Sequence, residues 1–214
     1  MTQLSRRALA IGLAALPLPA LAQRPAATPL SAADKALVDR ASAYLQALTQ
    51  AKGRFVQTDP RGVTTRGAVY LKRPGKARFD YEPPSGLLVV SDGGKVSIHD
   101  ARLKTFESYP LMATPLSLFL ARQVRLDQGV VISRVVRFAD GFAITARDGK
   151  KQAEGQITLT FTEKPLRLAG WTVTDAQGAS TRIQLIDLAP ASGLAPSLFV
   201  LNDPRPKNVG RAKM

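Results

Sequence analysis

The sequence has no cysteine and a single histidine in 214 residues. The first absence excludes disulfide frameworks, thiolate zinc sites, iron–sulfur clusters and thiol catalysis. It also excludes a lipid anchor attached through an N-terminal cysteine thioether. One histidine excludes metal sites built from several imidazoles. Acidic residues are scarce, 16 against 30 Lys and Arg, and aromatics make up only 6%. Beyond the N-terminus no apolar run approaches the roughly 20 residues that cross a bilayer. What is present is 45% hydrophobic content, enough for one domain with a real core. Binding and packing are favoured over chemistry, with no catalytic group, metal or cofactor expected.

Residues 1–22 carry Arg6 and Arg7, an apolar stretch from Ala8 to Ala20, and the small-residue site Ala20-Leu21-Ala22. That three-part layout predicts a cleavable signal peptide and a periplasmic protein. A mitochondrial transit peptide is the competing reading, and the cleavage site argues against it. Ser5-Arg6-Arg7 leaves the export route open between the general secretory and twin-arginine systems. Removing Arg6 and Arg7 from the 30 basic residues leaves 28 against 16 acidic, a net charge of +12. The basic residues are spread along the chain, which argues against nucleic acid. Either they form a solvated surface or they add a mild attraction to anionic headgroups.

Residues 23–30 are rich in Pro and Ala and read as a tether. Ser31 and Asp34 form an approximate capping box, and Leu37, Ala41, Tyr44, Leu45 and Leu48 follow at helical spacing. The pattern predicts an amphipathic helix of roughly 20 residues stopped by Gly53. From there the period becomes two. Strands are predicted from Arg54 to Gln57 and near 64–73, 76–82, 86–91, 95–100, 104–109, 130–138, 141–147, 154–162, 165–175 and 180–188. Asp-Gly, Gly-Gly and Gln-Gly turns separate many of them, so the reading is an antiparallel meander of about eleven strands. Residues 114–122 break the pattern, with Thr114 as N-cap and Pro115 at the first turn of a short apolar helix. A further turn is expected at residues 195–198, and residues 204–214 form a basic tail.

The alternation gives the sheet one apolar and one polar face. Ile157, Leu159 and Phe161 oppose Thr158, Thr160 and Thr162, and Phe142 and Ile144 oppose Ala143 and Thr145. Such a sheet curls around its apolar face. The space inside is either filled by helices as an ordinary core or kept as a helix-covered trough for an apolar ligand. Arg73 shares the face of Val69 and Leu71. Because an unpaired buried charge is costly, it either runs past the strand end to solvent or donates to carbonyls of a facing helix. Trp171 is expected in the core with Val173.

The run Tyr70-Leu71-Lys72-Arg73-Pro74-Gly75-Lys76-Ala77-Arg78-Phe79-Asp80-Tyr81, with Pro83-Pro84, resembles the LolA family of outer-membrane lipoprotein carriers. So do Val89-Val90-Ser91-Asp92-Gly93 and Thr114-Pro115-Leu116-Ser117-Leu118-Phe119-Leu120-Ala121, with Gly53-Arg54-Phe55-Val56-Gln57 and Gly67 upstream. The resemblance implies a mainly β, α+β fold: an incomplete antiparallel barrel of about eleven strands with a helical lid over a hydrophobic cavity. It implies a carrier domain over residues 31–203, a monomer that moves triacylated lipoproteins. Its implied partners are an inner-membrane lipoprotein-releasing ABC transporter and an outer-membrane acceptor lipoprotein where one exists. Arg73 would latch the lid, and Leu116, Leu118, Phe119 and Leu120 would belong to that lid. The acyl-chain cavity would be lined by Val69, Leu71, Phe79, Tyr81, Val89, Phe142, Ile144, Ile157, Leu159 and Phe161. The family often has an aromatic residue four positions after the Arg, facing the transporter. Here that position is Ala77, so the contact would fall to neighbours such as Phe79.

Two other functions compete. A sensing module on the same fold would bind lipid or lipoprotein without transport. An enzyme would need Asp80 and Glu82 as an acid pair, or His99 with a nucleophile, and neither has the expected partners in the sequence.

Overall fold

The computed structural model describes residues 30–114, 116–124, 126, 130–149 and 155–205. The expected leader, most of the tether, Pro115 and the tail after Arg205 lie outside the described residues. Helix α1 runs Ala32–Ala47. Its start follows the sequence signal: the Asp34 backbone N–H donates to Ser31 Oγ at 3.0 Å, and the Ser31 hydroxyl donates to the Asp34 carboxylate at 2.7 Å. Its end does not. The helix closes at Leu48, and strand β1, Gln50–Thr58, begins two residues later with Gly53 inside it. A Cβ at Gly53 would lie 2.9 Å from Leu188 Cα and 3.0 Å from Ile186 O. The glycine therefore answers to a close backbone approach, at a register shift between Lys52 and Arg54, and not to a helix stop.

Ten more strands follow: β2 Thr64–Lys72, β3 Lys76–Tyr81, β4 Leu87–Asp92, β5 Lys95–Asp100, β6 Thr105–Pro110, β7 Val130–Phe138, β8 Gly141–Asp148, β9 Gln156–Glu163, β10 Leu166–Thr174 and β11 Ser180–Pro190. They form one antiparallel sheet in the order β6-β5-β4-β3-β2-β1-β11-β10-β9-β8-β7. Strands β6 and β7 are the two edges and do not pair, so the barrel is incomplete. A 3-10 turn at Leu111–Ala113 and the short helix α2, Ser117–Leu120, interrupt the strands between the edges. No helix among the described residues is long and apolar enough to cross a membrane.

Alternation places Phe55, Val69, Leu71, Phe142, Ile144, Ile157, Leu159 and Phe161 on the concave side, each at most 1% exposed. The outer face carries Thr158, Thr160 and Thr162 on β9. Over β3 and β4, however, it is covered. A second 3-10 turn, Pro196–Phe199, packs there, and Phe199 and Val90 are buried to 1% and 2% exposure outside the main core.

The topology sorts the connections by rim. The turns at 59–63, 82–86, 101–104 and 175–179 lie at one end of the strands, and the Arg73-Pro74-Gly75 turn lies at the other.

Candidate functional site: an apolar interior beneath tied helices

Helix α1 buries Leu37, Val38, Ala41 and Leu45 against the concave face. Its Tyr44 meets Phe161 edge-on at 6.2 Å, and Phe161 in turn stacks on Phe142 at 5.2 Å. The short α2 buries Phe119 and Leu120. Phe119 packs on Trp171 at 5.1 Å, and Trp171 meets Phe79 at 6.0 Å, so one indole bridges helix and sheet.

Arg73 follows the last residue of β2. Its backbone N–H donates to Thr49 O at 2.7 Å. The guanidinium reaches two helix-end carbonyls: Nη1 donates to Leu45 O in the last turn of α1, and Nη2 donates to Ala121 O, just after α2, at 2.6 Å. Of the two courses open to this side chain, it takes the one toward carbonyls. Nε is buried without a partner among the described residues, and burial pushes the guanidinium down from its ordinary value. The next residues add to the tie. Gly75 N–H donates to Leu120 O at 2.7 Å, and Ser91 Oγ donates to Gly75 O at 2.6 Å.

A second tie has no counterpart in the sequence reading. The Gln46 side-chain amide accepts from Val124 N–H at 3.0 Å and donates to Arg122 O at 3.3 Å. It acts like a strand neighbour for the chain that leaves α2. A polar residue on the wet side of an amphipathic helix carries no sequence signal for such a partner, which lies 76 residues ahead.

The expected cavity residues divide in two. Phe79, Tyr81 and Val89 line an apolar cavity of about 310 Å³ together with Leu87, Ile98, Trp171, Val173 and Leu116. Tyr81 donates its hydroxyl to Gln57 Oε1 at 2.6 Å, and burial pushes its pKa up to about 12. Val69, Leu71, Phe142, Ile144, Ile157, Leu159 and Phe161 are instead packed in the core with α1 and α2. Of the expected lid residues, Leu116 reaches the cavity, Leu118 is half-buried, and Phe119 and Leu120 are fully buried.

The remaining candidates take structural roles. Asp80 forms a two-pronged ion pair with Arg78, both contacts at 2.8 Å, and Glu82 pairs with Arg54 at 2.8 Å. The two carboxylates are engaged with different cations rather than with one another. His99 faces Phe106 across β5 and β6. Ala77 is 1% exposed and Phe79 5%, so neither presents an outward aromatic surface.

Comparison with known proteins accords with this architecture. The profile described as "Outer membrane lipoprotein carrier protein LolA" matches residues 46–202. An outer-membrane lipoprotein carrier protein of Chromohalobacter salexigens is 30% identical over 95% of this chain and 96% of its own. Another, from Methylobacillus flagellatus, is 29% identical over 73% of this chain and 74% of its own. Among solved structures, a LolA superfamily protein from Nitrosomonas europaea superposes with a TM-score of 0.41 at 12% identity, covering 77% of this chain and 98% of its own. The unclosed eleven-stranded sheet, its apolar concave face and the match across most of its length together make this chain a member of the LolA family.

Proposed function

We propose that the protein is a periplasmic carrier that shelters the acyl chains of triacylated lipoproteins between an inner-membrane ABC transporter and the outer membrane. The observation that carries this reading is the Arg73 guanidinium joining the ends of both covering helices over an otherwise apolar interior. Among the described residues, the apolar cavity beside Leu116 and Trp171 is about 310 Å³. That is the lower end of the roughly 300–1,000 Å³ of small-molecule sites, and three acyl chains need more. Loading therefore displaces α1 and α2 and uses the surface now beneath them.

The energies are compatible with reversible loading. Phe119 and Leu120 of α2 and Leu37, Val38 and Leu45 of α1 contribute about 1.5–3 kcal/mol each by burial. About nine to nineteen acyl methylenes, at about 0.8 kcal/mol apiece, replace that contribution, a part of what three chains carry. The Arg73 bonds contribute about 1.5–3 kcal/mol each, offset in part by its unpartnered Nε. The tie is strong enough to bias the empty carrier shut and weak enough for cargo to break. No ATP is available in this compartment, so release must come from such a balance. Binding and release involve no bond chemistry, and the protein acts as a carrier, not an enzyme.

The test is intact mass spectrometry of protein recovered from the periplasmic fraction of an expressing cell. A complex with a lipoprotein bearing three acyl chains supports the reading. Protein that is empty in the wild type and in an Arg73→Leu variant refutes it.

A further inference from the structure

Helix α1 is joined directly to the sheet at its C-terminal end. Its last turn runs into Leu48 and Thr49, and β1 begins at Gln50, between β2 and β11. At about 1.5 Å per residue, Leu45 lies about 5 Å along the helix from Leu48, Arg40 about 12 Å and Asp34 about 21 Å. A rotation about the Leu48–Thr49 link that lifts Asp34 moves Leu45 only about a fifth as far. The Arg73 bond to Leu45 O therefore acts close to the pivot, where it has little leverage on the far end.

The far half is held by charge. Asp34 Oδ1, in the first turn, lies 2.8 Å from Arg137 Nη1 near the end of β7. Arg40 Nη1 donates to Oε1 of Glu163, the last residue of β9, at 2.7 Å. The spacing matches on both sides. Six residues of helix separate Asp34 from Arg40, about 9 Å. Strands β7 and β9 flank β8, two strand spacings or about 10 Å apart. Between the two pairs, Leu37 and Val38 are buried. The helix thus crosses three strands with an ion pair at each margin.

Both pairs reach water, their four side chains being 23–50% exposed. Exposed pairs add little to the stability of a fold and are screened by salt, which suits a joint that has to part.

We propose that Asp34–Arg137 and Arg40–Glu163 form an electrostatic clasp on the swinging end of α1, whose strength sets how readily the carrier admits acyl chains. Opening pivots at Leu48–Thr49 and first uncovers β8 and β9, where Ile144, Leu159 and Phe161 form the inner face. The four charged residues are positioning residues, because they join helix to sheet and do not touch cargo. The inference rests on the carrier reading and assigns the movement that loading requires to one end of one helix.

The test uses strand-side variants, so that the Ser31–Asp34 cap stays intact. Arg137→Gln and Glu163→Gln should each lower the Kd for a triacyl lipopeptide by about two- to fivefold. A merely structural loss would weaken binding instead. Sodium chloride raised from about 0.02 to about 0.5 M should tighten binding by the wild type but not by the double variant. Exchanging the charges, Arg40→Glu with Glu163→Arg, should return the Kd to the wild-type value. Because the chain has no cysteine, spin labels on Ala36→Cys and Ala139→Cys, both exposed, report the gap between α1 and the turn after β7. The population at long distance should grow with salt in the wild type and be enlarged in the double variant without it. Kd values at or above wild type in both neutral variants, a charge exchange that binds like Glu163→Gln, or a label distance indifferent to salt and to the variants overturns the clasp. Failure of every form to bind lipopeptide overturns the carrier reading, and the label distance then decides the clasp by itself.

Discussion

Replacing Arg73 by leucine removes both hydrogen bonds that join the helix ends while keeping an apolar stem of similar reach. The two bonds to Leu45 O and Ala121 O are charge-assisted, at about 1.5–3 kcal/mol each. Against this stand the buried, unpartnered Nε, a penalty of about 1–3 kcal/mol, and the desolvation that pushes the guanidinium pKa down. The net loss is about 1–3 kcal/mol from the closed form, which moves the opening equilibrium by roughly 5–150-fold. Since opening precedes loading, the variant binds acyl chains more tightly by that factor and gives them up more slowly. Trp171 supplies the assay, because it packs on Phe119 of α2 at 5.1 Å and is the only tryptophan. Titration with a triacyl lipopeptide, read by tryptophan emission, should show a several-fold to hundred-fold lower Kd for Arg73→Leu. Arg73→Lys, with a compact ammonium that lacks the two-pronged reach, should fall between. Wild-type affinity and wild-type release in Arg73→Leu would refute the latch.

Four further outcomes follow from the same geometry. Gln46→Ala removes the bonds to Arg122 O and Val124 N; hydrogen exchange of residues 121–124 should accelerate by about tenfold, for about 1–2 kcal/mol lost, with the strands unaffected. Gly53→Val forces a Cβ to within 2.9 Å of Leu188 Cα and should lower the urea midpoint by the equivalent of about 1–3 kcal/mol. Val89→Trp fills the 310 Å³ cavity; it should weaken binding of a single-chain fatty-acid probe at least tenfold, while circular dichroism remains that of the wild type. Tyr81→Phe deletes the donor to Gln57 Oε1 and should cost about 1 kcal/mol of stability with no change in the sheet's exchange pattern.

The sheet was largely legible because its signal is local. Period-two runs such as residues 157–161 put one residue type on each face, and Asp-Gly and Gly-Gly turns mark the ends. The start of α1 was legible for the same reason, since Ser31 and Asp34 close their own hydrogen bonds. Its end was not. Gly53 looks like a helix stop until β11 is brought against it. The outer packing of Phe199 on β3 and β4 depends on where residues 196–199 return, and nothing in the alternation of β4 announces it. Strand parity placed Arg73 on the inner side, but its choice between solvent and carbonyls required the positions of α1 and α2. The inward residues were identified as a face, whereas the division between Val89 in the cavity and Leu159 in the packed core is set by where the helices lie.

The central claim is that residues now sealed beneath α1 and α2 become the acyl-chain surface on loading. It is tested most directly with a triacyl lipopeptide carrying a photoreactive group at an acyl terminus, followed by peptide mapping of the crosslinks. The account predicts labelling at residues the closed form covers completely, such as Ile144, Leu159 and Phe161, each 0% exposed, with stronger labelling in Arg73→Leu. Crosslinks confined to the outer face of the sheet, or none at saturating lipopeptide, would contradict it.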